Sequence, residues 1–135
     1  MNERILLIDD HTLFRAGLRD LLKRRKIEVV ADVGSGPEGV KIAAEEELDI
    51  ILLDMRMPQM DGISVLKVIK EAHPDLPVAM LTTSSDESDL VGALRNGAQG
   101  YLLKDMEPDD LVVALRDIIS GKTVVAPDLA PVLAS

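Results

Sequence analysis

The stretch Ile50-Ile-Leu-Leu-Asp-Met-Arg-Met-Pro-Gln-Met-Asp-Gly62 decides the fold. Four apolar residues, Ile50 to Leu53, run without a break into one carboxylate, Asp54. A run that is apolar on both alternating faces fits a strand covered by helices on both sides, the habit of parallel sheets. Pro58 and Asp61-Gly62 then turn the chain before a helical pattern resumes. Asp54 is thereby predicted at the carboxyl end of a central strand, the edge where open α/β sheets place ligands. Desolvating a charge there is costly unless something meets it.

The same grammar repeats on either side. Arg4 to Ile8 is a predicted strand ending on Asp9-Asp10, and Pro77 to Leu81 is another, ending in Thr82-Thr83-Ser84-Ser85. Gly100 to Leu103 is a short strand followed by Lys104, whereas Glu28 to Val33 alternates more and is placed nearer an edge. Between the strands lie helical patterns. Thr12 is the predicted N-cap of the first, whose apolar positions are Leu13, Phe14, Gly17, Leu18, Leu21 and Leu22. The second runs from Val40 to Glu47 after a glycine-rich loop with Pro37, and the third from Gly62 to before Pro74. The fourth covers Glu87 to Asn96 with Gly97 at C′, and the fifth covers Leu111 to Ile119, opened by Glu107-Pro108-Asp109 and stopped by Gly121. Five βα units with short connections imply a parallel sheet, helices on both faces and right-handed crossovers. The tail, Lys122 to Ser135, is assigned to no sixth βα unit and is expected to begin a linker toward a further domain.

Composition narrows the function. The formal net charge of −9 repels phosphate backbones, so direct nucleic-acid binding by this domain is not expected. One Phe, one Tyr and no Trp leave little for stacking on bases. The chain has no Cys, which suits a reducing cytoplasm, and no apolar run of membrane-spanning length. Lys23-Arg24-Arg25-Lys26 is read as cations at a helix C-terminus.

If the first, third, fourth and fifth strands are neighbours, Asp9, Asp10, Asp54, Thr82 and Lys104 converge at one edge. Carboxylates about 4 Å apart repel by about 4 kcal/mol per pair at an effective dielectric near 20. A divalent cation relieves this, and oxygen-only ligands with no His or Cys close by point to Mg²⁺, with the Arg56 backbone carbonyl as one further ligand. A cation beside a carboxylate, a lysine and a hydroxyl is equipment for phosphoryl transfer. Asp54 is the candidate nucleophile, Lys104 and the metal neutralise charge, and Thr82 donates a hydrogen bond.

Asp9-Asp10, Asp54 followed by MRMPQMDG, Thr82 and GYLLK ending at Lys104 together resemble the receiver domain of two-component response regulators. DDH at positions 9–11, GAQGYLLKDMEPDDL and APDLAPVLAS resemble, more narrowly, its NarL-type subfamily. The resemblance implies a flavodoxin-like (βα)5 doubly wound sheet of strand order 2-1-3-4-5, with the receiver at 1–121 and linker from 122. It implies that a sensor histidine kinase phosphorylates Asp54, with Mg²⁺ held by Asp9, Asp10, Asp54 and the Arg56 carbonyl. It further implies a Thr82 and Tyr101 switch pair, a C-terminal helix-turn-helix DNA-binding domain as output, and a possible homodimer. Arg56 and Ser84 occupy positions that could tune acyl-phosphate lifetime. Asp105 follows Lys104 where many receivers carry Pro, so a trans bond is expected there.

Three rival readings are weaker. Gly34-x-Gly36-x-x-Gly39 meets the dinucleotide fingerprint formally, yet it follows a charged, edge-like strand and leaves Asp9, Asp10 and Lys104 unexplained. A haloacid dehalogenase-like phosphatase needs an Asp two residues past the nucleophile, where this chain has Arg56. A stand-alone receiver docking on a protein partner disagrees with the linker-like tail. His11 is placed in the turn before the first helix and His73 in a solvent-facing loop. The last helix is apolar over more than one stripe, which fits either core filling or a contact surface.

Overall fold

The computed structural model describes residues 2–134. Strands β1 (Arg4–Ile8), β2 (Glu28–Val33), β3 (Ile50–Leu53), β4 (Val78–Thr82), β5 (Gly100–Leu103) and β6 (Val124–Val125) form one parallel sheet in the order β2-β1-β3-β4-β5-β6. Helices α1 (Thr12–Arg24), α2 (Gly36–Glu45), α3 (Gly62–Ala72), α4 (Glu87–Arg95) and α5 (Pro108–Ile119) connect them, and a short α6 (Ala130–Ala134) ends the chain. The strand order 2-1-3-4-5 implied by the resemblance is the order observed, extended by one strand.

The unbroken apolar runs have a direct cause. Alternate residues of one strand feed two different cores, so both faces must be hydrophobic. Leu6, Ile8, Ile51 and Leu53 pack with Val65, Leu66, Ile69, Leu90 and Ala93 under α3 and α4. Ile5, Leu7, Ile50 and Leu52 pack with Leu18 and Leu22 of α1 and Leu115 and Ile118 of α5. Strand β2, at the sheet edge, stays half exposed, as its alternation predicts. On α5, five of the apolar residues are buried and Val113 is exposed, so the wide apolar face is mostly core.

Several boundaries differ from the sequence reading. His11, not Thr12, is the N-cap of α1; its backbone is extended and its side chain makes no capping bond. Leu13 faces solvent at 89% exposure, off the buried stripe of Leu18 and Leu22. Helix α2 starts at Gly36, earlier than predicted, because Ser35 accepts a hydrogen bond from the Glu38 amide and so caps it. A Cβ at Gly39 would run into Ile8, so this glycine lets α2 lie close on β1. That accounts for the pseudo-fingerprint without a nucleotide. His73 is the half-buried C-cap of α3.

The largest difference is the tail. Val124 and Val125 pair with Gly100 and Tyr101, and the Ala126 amide donates to the Tyr101 carbonyl at 2.8 Å. A 3-10 turn, Pro127–Leu129, follows, with Ala126 and Leu129 buried in the same core as Tyr101. Two residues of strand are below the length at which periodicity can be read, so nothing in the sequence pattern revealed them.

Candidate functional site

Register builds the site. Ile8 pairs with Leu53, and the Asp54 amide donates to the Ile8 carbonyl at 2.9 Å, so Asp9 and Asp54 leave the sheet side by side. Thr82 pairs with Leu103, and the Lys104 amide donates to the Thr82 carbonyl at 2.8 Å. The chain therefore delivers Lys104 to the same edge. Its Nζ lies 2.7 Å from Asp9 Oδ2 and 3.3 Å from Asp54 Oδ2. Asp9 and Asp54 are only 1% and 3% exposed, so the lysine is the cation that makes their burial tolerable. Arg15 of α1 fixes the strand end by donating to the Asp9 carbonyl at 2.5 Å and to Asp32 of β2 at 2.9 Å.

One expectation is corrected here. The edge is not free of nitrogen ligands: His11 Nδ1 lies 3.3 Å from Asp9 Oδ1, 3.8 Å from both Asp10 and Asp54, and 3.1 Å from Lys104 Nζ. The capping turn that starts α1 swings the ring over the acidic edge, which sequence spacing alone does not reveal. One ligand atom each from Asp9, Asp10, His11 and Asp54 lies within 4.8 Å of the others, a group able to hold a metal ion. Oδ1 of Asp10 is buried and has no hydrogen-bond partner. An orphaned carboxylate oxygen beside two further carboxylates fits a hard divalent cation.

A second group adjoins the first along β4, β5 and α4. Thr82, 1% exposed, accepts a hydrogen bond from the Ser84 amide at 3.1 Å. The fully buried Tyr101 ring sends its hydroxyl to the Ser84 carbonyl at 3.2 Å. Ser84 and Arg56 both bind Oδ2 of Asp89, at 2.7 and 2.5 Å. Asp89 went unnoticed in the sequence reading. Its signal was the Asp86 N-cap, which places Asp89 in the first turn of α4, facing the β4 loop. Burial pushes the Tyr101 phenol up.

The Asp54 carboxyl is held above its ordinary value, first by burial and next by the charge of Asp9. Lys104 and the Arg56 amide oppose this, the latter donating to Asp54 Oδ1 at 3.4 Å. A larger cleft of about 670 Å³ opens at the amino ends of the strands, by Asn2, Arg4, Glu47 and Asp49. Arg4 there is paired with Glu28 and Glu46, and Asp49 accepts from the Arg4 amide. Arg4 and Asp49 in that cleft are thus paired, whereas at the carboxyl edge a buried oxygen of Asp10 has no hydrogen-bond partner. Among the described residues no helix is long and apolar enough to cross a membrane.

Known proteins are similar to this chain in sequence and in fold. The nitrate/nitrite response regulator protein NarL of Escherichia coli is 42% identical over 132 residues, covering 97% of this chain and 61% of that protein. The transcriptional regulatory protein LnrK of Bacillus subtilis is 41% identical over 127 residues, covering 93% and 58%. The chain thus spans about 60% of the length of these curated relatives. Among solved structures, a two-component response regulator of the LuxR family from Aurantimonas superposes with a TM-score of 0.94 at 30% identity, covering 99% of this chain and 96% of that one. The signal receiver domain of the putative regulator NarL from Mycobacterium tuberculosis superposes at 0.84 and 30% identity, covering 90% and 98%. Residues 5–116 match the response regulator receiver domain, and the chain belongs to that family.

Proposed function

We propose that the chain is a phosphorylation switch in which a sensor histidine kinase transfers a phosphoryl group to Asp54. The observation that carries this reading is the buried Asp54 carboxylate at the end of the central strand, 3.3 Å from the Lys104 ammonium and beside the Asp9-Asp10 pair. An Asp54 oxygen attacks phosphorus on the phosphorylated imidazole of the kinase. The P–N bond breaks as the P–O bond forms, and the departing nitrogen takes a proton from solvent. Asp9, Asp10, Asp54 and the Arg56 carbonyl would hold Mg²⁺, which when bound would supply positive charge for the phosphoryl oxygens. Lys104 balances the remaining charge and the Thr82 hydroxyl donates a hydrogen bond to one phosphoryl oxygen.

Recruiting Thr82 takes its oxygen from the Ser84 amide, and Ser84 is also the anchor of the Tyr101 hydroxyl. The phosphorylated state therefore repositions Tyr101 and the β4–α4 segment. A bias of about 1–3 kcal/mol between the two arrangements is enough for a signal. Arg56 and Ser84, tied together through Asp89, set access of water to the acyl phosphate and so its lifetime. The domain acts in the cytoplasm and turns over only its own phosphoryl group. Its output is transcriptional control through a DNA-binding domain following the tail, a reading supported by LnrK, which is named a transcriptional regulatory protein, and by the 58–61% of these relatives' length that this chain spans.

Acetyl phosphate replaces the kinase in the test. With Mg²⁺, intact mass is expected to rise by one phosphoryl group on the wild type and not on Asp54→Asn, and hydroxylamine is expected to release it. Labelling of Asp54→Asn at the wild-type rate, or none on the wild type, overturns the reading.

A further inference from the structure

The chain's one Phe stands against the lysine of the site. The Lys104 Nζ lies 4.6 Å from the centroid of the Phe14 ring, within the range at which an ammonium is held by an aromatic face. Phe14 lies on the first turn of α1, one helical turn beyond His11, which also touches Nζ at 3.1 Å. The lysine side chain is 8% exposed, and the cleft over its stem, about 250 Å³, is walled by Leu13, Phe14, Gly17, Met106 and Leu111. On the side away from the Asp9 and Asp54 carboxylates the apolar cleft offers the ammonium the ring face, and a desolvated ammonium is held there more strongly than in water. Asp9 and Asp54 draw the charge to the edge; Phe14 decides where along the edge it rests.

We propose that Phe14 is a positioning residue for Lys104, its ring holding the ammonium at the carboxylate edge. This rests on the phosphoryl-transfer reading only for its consequence, which is that the lysine charge stands ready for the incoming phosphoryl oxygens. Leu at this position keeps apolar bulk and removes the π face. Tyr keeps the face, and the open cleft has room for its hydroxyl.

The test compares wild type, Phe14→Leu and Phe14→Tyr, each checked for an unchanged thermal unfolding profile. In proton NMR the Lys104 ε-methylene protons are expected upfield in wild type and Phe14→Tyr, because they sit over a ring, and at ordinary positions in Phe14→Leu. Labelling by acetyl phosphate at fixed Mg²⁺ is expected to slow by about three- to tenfold in Phe14→Leu and to stay within about twofold of wild type in Phe14→Tyr. Equal labelling rates for Phe14→Leu and wild type, or a Phe14→Tyr variant as slow as Phe14→Leu, overturn the proposal. So does a wild type without the upfield shift. A wild type that shows the shift and takes no label sinks phosphoryl transfer at Asp54 and leaves the lysine assignment standing on its spectroscopic evidence.

Discussion

The Lys104 ammonium lies 2.7 Å from Asp9, closer than to Asp54 at 3.3 Å, although Asp54 is the residue at the centre of the sheet edge. One cation is shared between two buried carboxylates, and it is nearer Asp9, proposed to hold metal alone, than Asp54, proposed both to hold metal and to accept phosphate. A metal taking over Asp9 would free the lysine for Asp54.

Lys104→Met leaves Asp9 and Asp54 facing each other without their cation. Removing one partner of a buried ion pair costs about 3 kcal/mol or somewhat more. Urea unfolding at pH 7 in EDTA is expected to show this loss, and Mg²⁺ is expected to restore most of it, since ligand at a hundredfold over Kd contributes about 2.7 kcal/mol. A variant as stable as wild type in EDTA contradicts the shared-cation account.

Asp54→Asn behaves oppositely. The folded chain keeps a proton on Asp54 over a pH window in which the unfolded chain has already released it, because burial and Asp9 raise this carboxyl. Its contribution to stability therefore falls as pH rises through that window and stays unfavourable above it. The Asn variant is expected to be more stable than wild type at pH 7, with the gap closing as pH drops below the ordinary carboxylate range. Chemical unfolding across pH measures it; a variant less stable at pH 7 refutes the sign.

Gly62→Ala tests the support beneath the site. A Cβ there would meet the Asp54 carbonyl and come within 2.7 Å of the Met55 Cα, backbone atoms that cannot swing aside. Overpacking of this kind costs about 1–3 kcal/mol. Because the displaced atoms belong to Asp54 and the residue after it, weaker Mg²⁺ binding by titration calorimetry is expected together with the lower midpoint. Full Mg²⁺ affinity in this variant would show that Asp54 does not need the turn held closed.

Leu129→Ala separates a packed tail from a free one. Leu129 is 3% exposed in the core that holds Tyr101, so truncation is expected to cost about 2–4 kcal/mol. A loss under about 0.5 kcal/mol, measured by urea unfolding, would return the segment to the status of a linker.

The strands and their edge chemistry were legible because burial on two faces leaves a sequence no latitude: IILL before Asp54 and RILLI before Asp9 have few other readings. The capping of α3 by Asp61 and the break after α4 at Gly97, whose φ is 97°, follow equally local rules. Asp89, and the contacts of the His11 ring beside an acidic edge it was already placed next to, were missed for the opposite reason. Each reaches the site through the direction in which a helix begins, and that direction is set by packing.

By itself, then, the order of apolar runs and terminal carboxylates determined the doubly wound sheet and nominated Asp9, Asp10, Asp54, Thr82 and Lys104. Only the assembled structure decided that Lys104 leans on Asp9, that His11 and Phe14 flank it from α1, and that the tail adds a sixth strand beside Tyr101. Periodicity records which face of an element is buried. Where a side chain from one element ends relative to another depends on register and helix placement, which arise when the whole core closes.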